Sequence, residues 1–237
     1  MFTAAPRDDD HARRLAVDVR NGRYVLWVGS LRAHDPRKQL NHLLASMARL
    51  GDAAPLLVLA GARGAESARV AARARRLRVR VQLTGHVPDA TLAALYRGAQ
   101  AAVVCSSQEG FGLTAIEAMA CGTPLVASSI AALREQVDTA GLLVPVGDVD
   151  GLARAIASVT ADRELSKRLS LVGRTRAARF DWQVTASATA EVYREVARCA
   201  VPRHTAPAHG GPPTLLRASS AATRSPTTRP GSRRLLS

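Results

Sequence analysis

Ala101-Ala-Val-Val-Cys-Ser-Ser-Gln-Glu-Gly-Phe-Gly-Leu-Thr-Ala-Ile-Glu-Ala-Met-Ala-Cys-Gly-Thr-Pro124 runs from an apolar stretch into a helix-forming one through two glycines. Ala101–Cys105 reads as a buried strand and Leu113–Ala120 as a helix. Gly110 and Gly112 let backbone come close to a ligand and leave the helix-start N–H groups pointing outward. A helix N-terminus aimed from a strand end is an anion site suited to a diphosphate. Glu109 and Glu117 frame it. Were the whole segment helical, they would stand roughly 12 Å apart, about the reach of a ribose-diphosphate-sugar. One carboxylate can accept from hydroxyls of a transferred sugar, the other from a ribose, each bond contributing about 1.5–3 kcal/mol. The plainer alternatives are a first-turn acid favoured by the helix dipole for Glu109 and a helix-face acid for Glu117.

Working outward, further short apolar runs alternate with helical patterns. Tyr24–Val28, Leu56–Ala60, Val79–Leu83, Leu125–Ala127 and Leu142–Val144 read as buried strands. Arg37–Leu50, Ala65–Arg78, Thr91–Gly98 and Ile130–Val137 read as helices between them. This alternation predicts an α/β fold, a single Rossmann-like, doubly wound parallel sheet covered on both faces. Such sheets bind ligands at the carboxyl ends of their strands, so the loops after Val28, Leu83 and Cys105 matter most. After Pro145 the pattern is helical, with Asp148 or Asp150 as a cap, a helix from Asp162 to about residue 179, and another over about 181–198. Residues 1–22 read as linker-like and 23–198 as the domain. The Pro-, Ser-, Thr- and Arg-rich segment 199–237 cannot bury enough apolar surface to fold alone and is expected to be disordered.

Composition narrows the function classes. The 237 residues are 47% hydrophobic but only 3% aromatic, enough for one core built on Ala, Val and Leu. The net charge of +14 invites a nucleic-acid reading, but seven arginines and no acid fall within residues 198–237. The rest is spread over segments such as Arg69–Arg80 and reads as solvated helix faces, with an anionic lipid or substrate surface the next choice. No helix-turn-helix, finger or aromatic RNA-binding pattern occurs, so no specific nucleic-acid partner is expected. Cys105, Cys121 and Cys199 are too widely spaced for structural zinc or a disulfide framework, and the first two read as buried thiols. No apolar leader and no run of about 18 apolar residues is seen. A cytoplasmic location is expected, with room for peripheral contact at the inner membrane face.

The segment Glu109–Glu117, with Gly-Phe-Gly inside it and Glu117-Ala-Met-Ala-Cys-Gly-Thr-Pro124 after it, resembles the retaining glycosyltransferases of the GT-B fold, family 4 type. Tyr24-Val-Leu-Trp-Val-Gly-Ser-Leu31 with Pro36-Arg-Lys-Gln-Leu40 is similar to that family's first donor-domain strand and phosphate-binding loop. Leu83-Thr-Gly-His-Val-Pro-Asp89 resembles its nucleobase loop, and Phe180-Asp-Trp182 the start of its closing helix. The likeness covers about residues 20–197.

The resemblance implies the C-terminal, donor-binding half of such an enzyme. Glu109 would contact donor-sugar hydroxyls and Glu117 the ribose. Backbone at Gly110, Phe111, Gly112, Leu113 and Thr114 would lie near the sugar and phosphates, and Gly29 at the phosphate loop. Lys38 would neutralise the leaving diphosphate, with no metal and no cofactor beyond the nucleotide-sugar donor. His86 and Val87 would lie at the base; His86 also reads as an ordinary loop residue. Ser30 stands where the family often has Arg, so Arg32 or Arg37 is expected to replace that charge. Thr114 stands where Pro is common. GT-B enzymes bind the acceptor in a second, N-terminal domain, and nothing before Tyr24 reads as one. The chain is therefore expected to lack its acceptor domain and to act with a partner chain or an upstream segment that supplies it, with the apolar face of its last helix uncovered. A module that holds a nucleotide sugar without turnover, or a truncated inactive fragment, are the alternative readings.

Overall fold

The computed structural model describes residues 2–19 and 23–199. Six parallel strands form one sheet: β1 (Tyr24–Val28), β2 (Leu56–Ala60), β3 (Val81–Gly85), β4 (Ala101–Val104), β5 (Leu125–Ser128) and β6 (Gly141–Val144), in the order β3-β2-β1-β4-β5-β6. Residues along β1 alternate between two cores. Val25 and Trp27 join one apolar cluster with Leu43, Leu44, Val70 and Ile156; Tyr24 and Leu26 join another with Leu95, Ala118, Met119 and Leu133. Helices α2 (Leu40–Arg49), α3 (Ala65–Arg76) and α7 (Val149–Ala161) thus cover one face. Helices α4 (Asp89–Gly98), α5 (Leu113–Ala120) and α6 (Ala131–Val137) cover the other. β4 and β5 are buried along their whole length, as a parallel sheet covered on both faces requires. The expected doubly wound parallel sheet is present.

Among the boundaries that differ from expectation, two have a clear local reason. The third strand starts at Val81, not Val79, because Arg78 turns left-handed (φ 56°) and the Val79 N–H returns to the Ala74 carbonyl at 2.9 Å, closing α3. Its loop therefore follows Gly85 rather than Leu83. The helix expected from Arg37 starts only at Leu40. Before it, Pro36–Lys38 makes a 3-10 turn, capped by the Asp35 carboxylate accepting from the Arg37 N–H at 3.1 Å, and Gln39 is left-handed (φ 52°). Lys38 thus rides on a tight turn.

The segment read as linker-like carries a helix of its own, α1 (Asp10–Leu15), packed against α4. Arg97 of α4 donates to both Asp10 carboxylate oxygens, at 2.5 and 2.6 Å, and the two side chains are buried. Phe2 meets Tyr96 edge-on, with ring centroids 6.0 Å apart.

After β6, Asp148 caps α7, accepting from the Gly151 N–H at 2.8 Å, and Asp162 caps α8 (Arg163–Ala177). Residues 1–191 form one compact unit; α9 (Trp182–Cys199) begins in it, and its turns from Val192 belong to a second. Trp182 and Val184 are exposed, as are Val192, Tyr193 and Val196. No helix among the described residues is long and apolar enough to cross a membrane. Cys105 and Cys121 are free and buried, as read. The tail expected over 199–237 lies, beyond Cys199, outside the described residues.

Candidate active site

The strand order reverses between β1 and β4, where connections leave in opposite directions, the point at which sheets of this kind form a crevice at the carboxyl ends. The loop after β1 brings Lys38 there and the loop after β4 brings Glu109. The Lys38 Nζ donates to Glu109 Oε1 at 2.8 Å, with side chains 27% and 15% exposed. Two hydrogen bonds to backbone carbonyls fix the loops to one another: the Ser107 N–H donates to the Arg37 carbonyl at 2.7 Å, and the Cys105 thiol to the Lys38 carbonyl at 3.3 Å. Burial pushes the Cys105 thiol up to about 12, so it stays protonated and able to donate.

Glycine is required at particular points. A Cβ on Gly61, at the end of β2, would lie 1.8 Å from the Gly29 carbonyl oxygen, so the two loops can cross only without a side chain there. Gly112 begins α5 with φ 85°, and a Cβ on it would come within 2.9 Å of Leu133. A Cβ on Gly110 would meet no protein atom within 4 Å, so that stretch of backbone faces open space. No side chain caps α5; the Ala115 N–H returns to the Gly112 carbonyl at 2.9 Å, and the N–H groups of Leu113 and Thr114 are left to whatever enters the crevice. Phe111 packs edge-on against Phe180 at 6.1 Å, and Leu113 is half-exposed beside it.

Glu117 lies one turn further along α5. Only the portion from Leu113 is helical, so the two carboxylates are not joined by a continuous helix as the 12 Å figure assumed. Tyr96 donates its hydroxyl to Glu117 Oε2 at 3.2 Å. Burial raises the Glu117 carboxyl above the ordinary carboxylate range, the Tyr96 bond opposes this, and the charge of Asp89 adds to the rise. Glu117 and Asp89 line a cleft of about 610 Å³ with Leu113, Ile116, Phe180 and Trp182. Thr114 is half-buried, and its carbonyl accepts from the Tyr96 hydroxyl at 3.3 Å.

Of the two arginines expected to replace the charge missing at Ser30, Arg37 is occupied by Asp35, at 3.0 Å through Nε and 2.9 Å through a terminal nitrogen. Arg32 is exposed and has no ion pair among the described residues. Its backbone is held: the Arg32 carbonyl accepts from the Ala65 N–H at 3.0 Å. His86 is exposed and Val87 is buried in the core, so Val87 can offer a ligand only backbone. Both lie in the loop between β3 and α4, with two strands, β2 and β1, between β3 and β4 in the sheet.

Sequence reasoning missed three supporting residues. Ser106, 2% exposed, donates its hydroxyl to Glu109 Oε1 at 2.6 Å. Its Ser-x-x-Glu spacing ahead of a helix was a usable signal. Tyr96, a buried hydroxyl in need of a partner, holds Glu117. Asp35, two residues before Arg37, takes up the charge that Arg37 would otherwise offer.

An uncapped helix start at the switch point, a cation on the neighbouring loop and two carboxylates make up the candidate site. A family profile described as Glycosyl transferases group 1 matches residues 22–162, and the chain belongs to that family. It is 39% identical over 176 residues to a glycogen synthase of Mycobacterium tuberculosis, covering 71% of this chain and 42% of that protein. It is 36% identical over 183 residues to a phosphatidyl-myo-inositol mannosyltransferase of Mycolicibacterium smegmatis, covering 75% and 46%. The chain thus spans less than half the length of these relatives. Among solved structures, a sucrose-phosphate synthase from Thermosynechococcus elongatus superposes with a TM-score of 0.72 at 34% identity, over 82% of this chain and 50% of that one. Anabaena HepE, crystallised with UDP and glucose, gives 0.71 at 23% identity over 81% and 53%, a likeness of fold alone. These neighbours are GT-B enzymes, and the chain has the fold of one of their Rossmann-like domains.

Proposed function

We propose that this chain holds a nucleotide-diphosphate sugar across the start of α5 and, with a domain that presents an acceptor, transfers the sugar to a hydroxyl with retained configuration. The carrying observation is the Lys38–Glu109 contact, at 2.8 Å, beside an uncapped helix N-terminus. In this reading the diphosphate lies on the N–H groups of Gly112, Leu113 and Thr114, with Lys38 stabilising charge as it leaves. Arg32, rather than the occupied Arg37, supplies the second cation, and these groups take the part a metal would otherwise play. Glu109 accepts from the sugar hydroxyls, and Glu117 from the ribose at the mouth of the Asp89–Phe180 cleft. His86 and the Val87 backbone meet the base. The relatives are named as sugar transferases or synthases, which supports transfer over mere storage of the donor. Reaction in the cytoplasm fits a nucleotide-sugar substrate. The acceptor must be oriented against the anomeric carbon by surfaces beyond this domain.

A calorimetric panel of UDP-, GDP- and ADP-sugars against the folded chain tests the reading. One of them should bind saturably at one site. Silence across the panel would overturn it.

A further inference from the structure

Away from the crevice, α3 and the start of α2 border a groove of about 680 Å³. That size lies within the range of small-molecule pockets. Arg69, Arg73 and Arg76 line it at i, i+4 and i+7, one face of α3, and Arg75 adjoins them. Like charges at these spacings repel. None of the four has an acidic partner among the described residues. A solvated helix face would explain the arginines alone, but it does not explain Glu66. That residue is 6% exposed and lines the same groove. Its Oε1 meets the His34 Nδ1 at 3.2 Å, while its Oε2 is buried without a hydrogen-bond partner, as is the Arg73 Nε. A buried carboxylate oxygen without a donor is costly. The groove therefore combines excess positive charge with one buried acceptor. An anion alone would leave Glu66 unmet, and a neutral sugar would leave the arginines unmet.

We infer that this groove binds a soluble phosphorylated polyol, its phosphate on Arg69, Arg73 and Arg76 and one hydroxyl donating to Glu66. None of Lys38, Glu109 and Glu117 lines it, so the inference stands apart from the donor reading. A buried acceptor among the arginines favours a small molecule over a membrane surface.

The test is calorimetry on the full chain at low ionic strength with sorbitol 6-phosphate, sorbitol and inorganic phosphate. Sorbitol 6-phosphate should bind once per chain, inorganic phosphate about tenfold more weakly or worse, and sorbitol not at all. Arg69→Gln with Arg73→Gln should weaken binding about tenfold or more, and Glu66→Gln should narrow the gap between sorbitol 6-phosphate and phosphate. Should the double variant fail to fold, Arg76→Gln, exposed at the groove, is read in the same way. Saturating UDP should leave the affinity unchanged. Each opposite result overturns the inference: no saturable binding, equal affinity for inorganic phosphate, indifference to the arginine changes, displacement by UDP, or preference for phosphatidylglycerol vesicles over the soluble probe.

Discussion

Glu117 meets the Tyr96 hydroxyl and keeps its proton to higher pH than a free carboxyl because burial disfavours its charge. Two consequences have opposite signs. For stability, the native state binds this proton more tightly than the unfolded chain, so the contribution is fully present at low pH and fades as pH rises through the folded-state value. For ligand binding, only the carboxylate accepts from both ribose hydroxyls, so nucleotide affinity should fall as pH drops through that same raised value. Calorimetry across this range should show the loss in the native chain and a flat, weaker profile in Glu117→Gln; the same slope in both would mean Glu117 does not meet the nucleotide. Ser106 gives a second test. Its 2.6 Å bond holds Glu109 in place, and a hydrogen bond to a charged group contributes about 1.5–3 kcal/mol. Ser106→Ala should therefore weaken a sugar-bearing donor about tenfold while leaving the bare nucleoside diphosphate nearly unchanged. Equal weakening of both would show that Ser106 acts only on the fold. The spacing around the glycines singled out the two glutamates as candidates. The residues that hold them were less legible, because Tyr96 lies in α4, distant in sequence from Glu117, and nothing local marks the pair.

Helix α5 depends on the residue that caps its start. Gly112 is left-handed, and a Cβ there would crowd Leu133 at 2.9 Å while straining the turn. Gly112→Ala should cost about 1–2 kcal/mol in chemical denaturation, the left-handed penalty for a residue with a Cβ, and tilt the N–H groups that start the helix. An unchanged midpoint would mean the turn relaxes freely. At this scale the sequence was a good guide to strands, whose apolar runs are short and bounded, and a poorer one to helix starts. The turn that carries Lys38 escaped notice because Pro36 is also a normal first residue of a helix, and only Asp35 capping the Arg37 N–H and the left-handed Gln39 interrupt the pattern. Helix α1 was overlooked because its six residues, DHARRL, carry little apolar periodicity and are held by the Asp10–Arg97 pair instead.

For the whole molecule, β-α alternation predicted the parallel sheet, but not the strand order, which depends on crossovers that no local pattern encodes. That order is what brings the loops of Lys38 and Glu109 side by side, although the two residues are 71 positions apart. The chain spans less than half the length of the glycogen synthase and the mannosyltransferase compared above. The central claim is that the start of α5 receives the diphosphate of a nucleotide. Hydrogen–deuterium exchange of the folded chain, with and without saturating nucleoside diphosphate, tests it most directly. Amides of Gly112, Leu113 and Thr114 should gain protection while those of α3 do not change. Binding without protection at α5, or with protection confined to another segment, would contradict it.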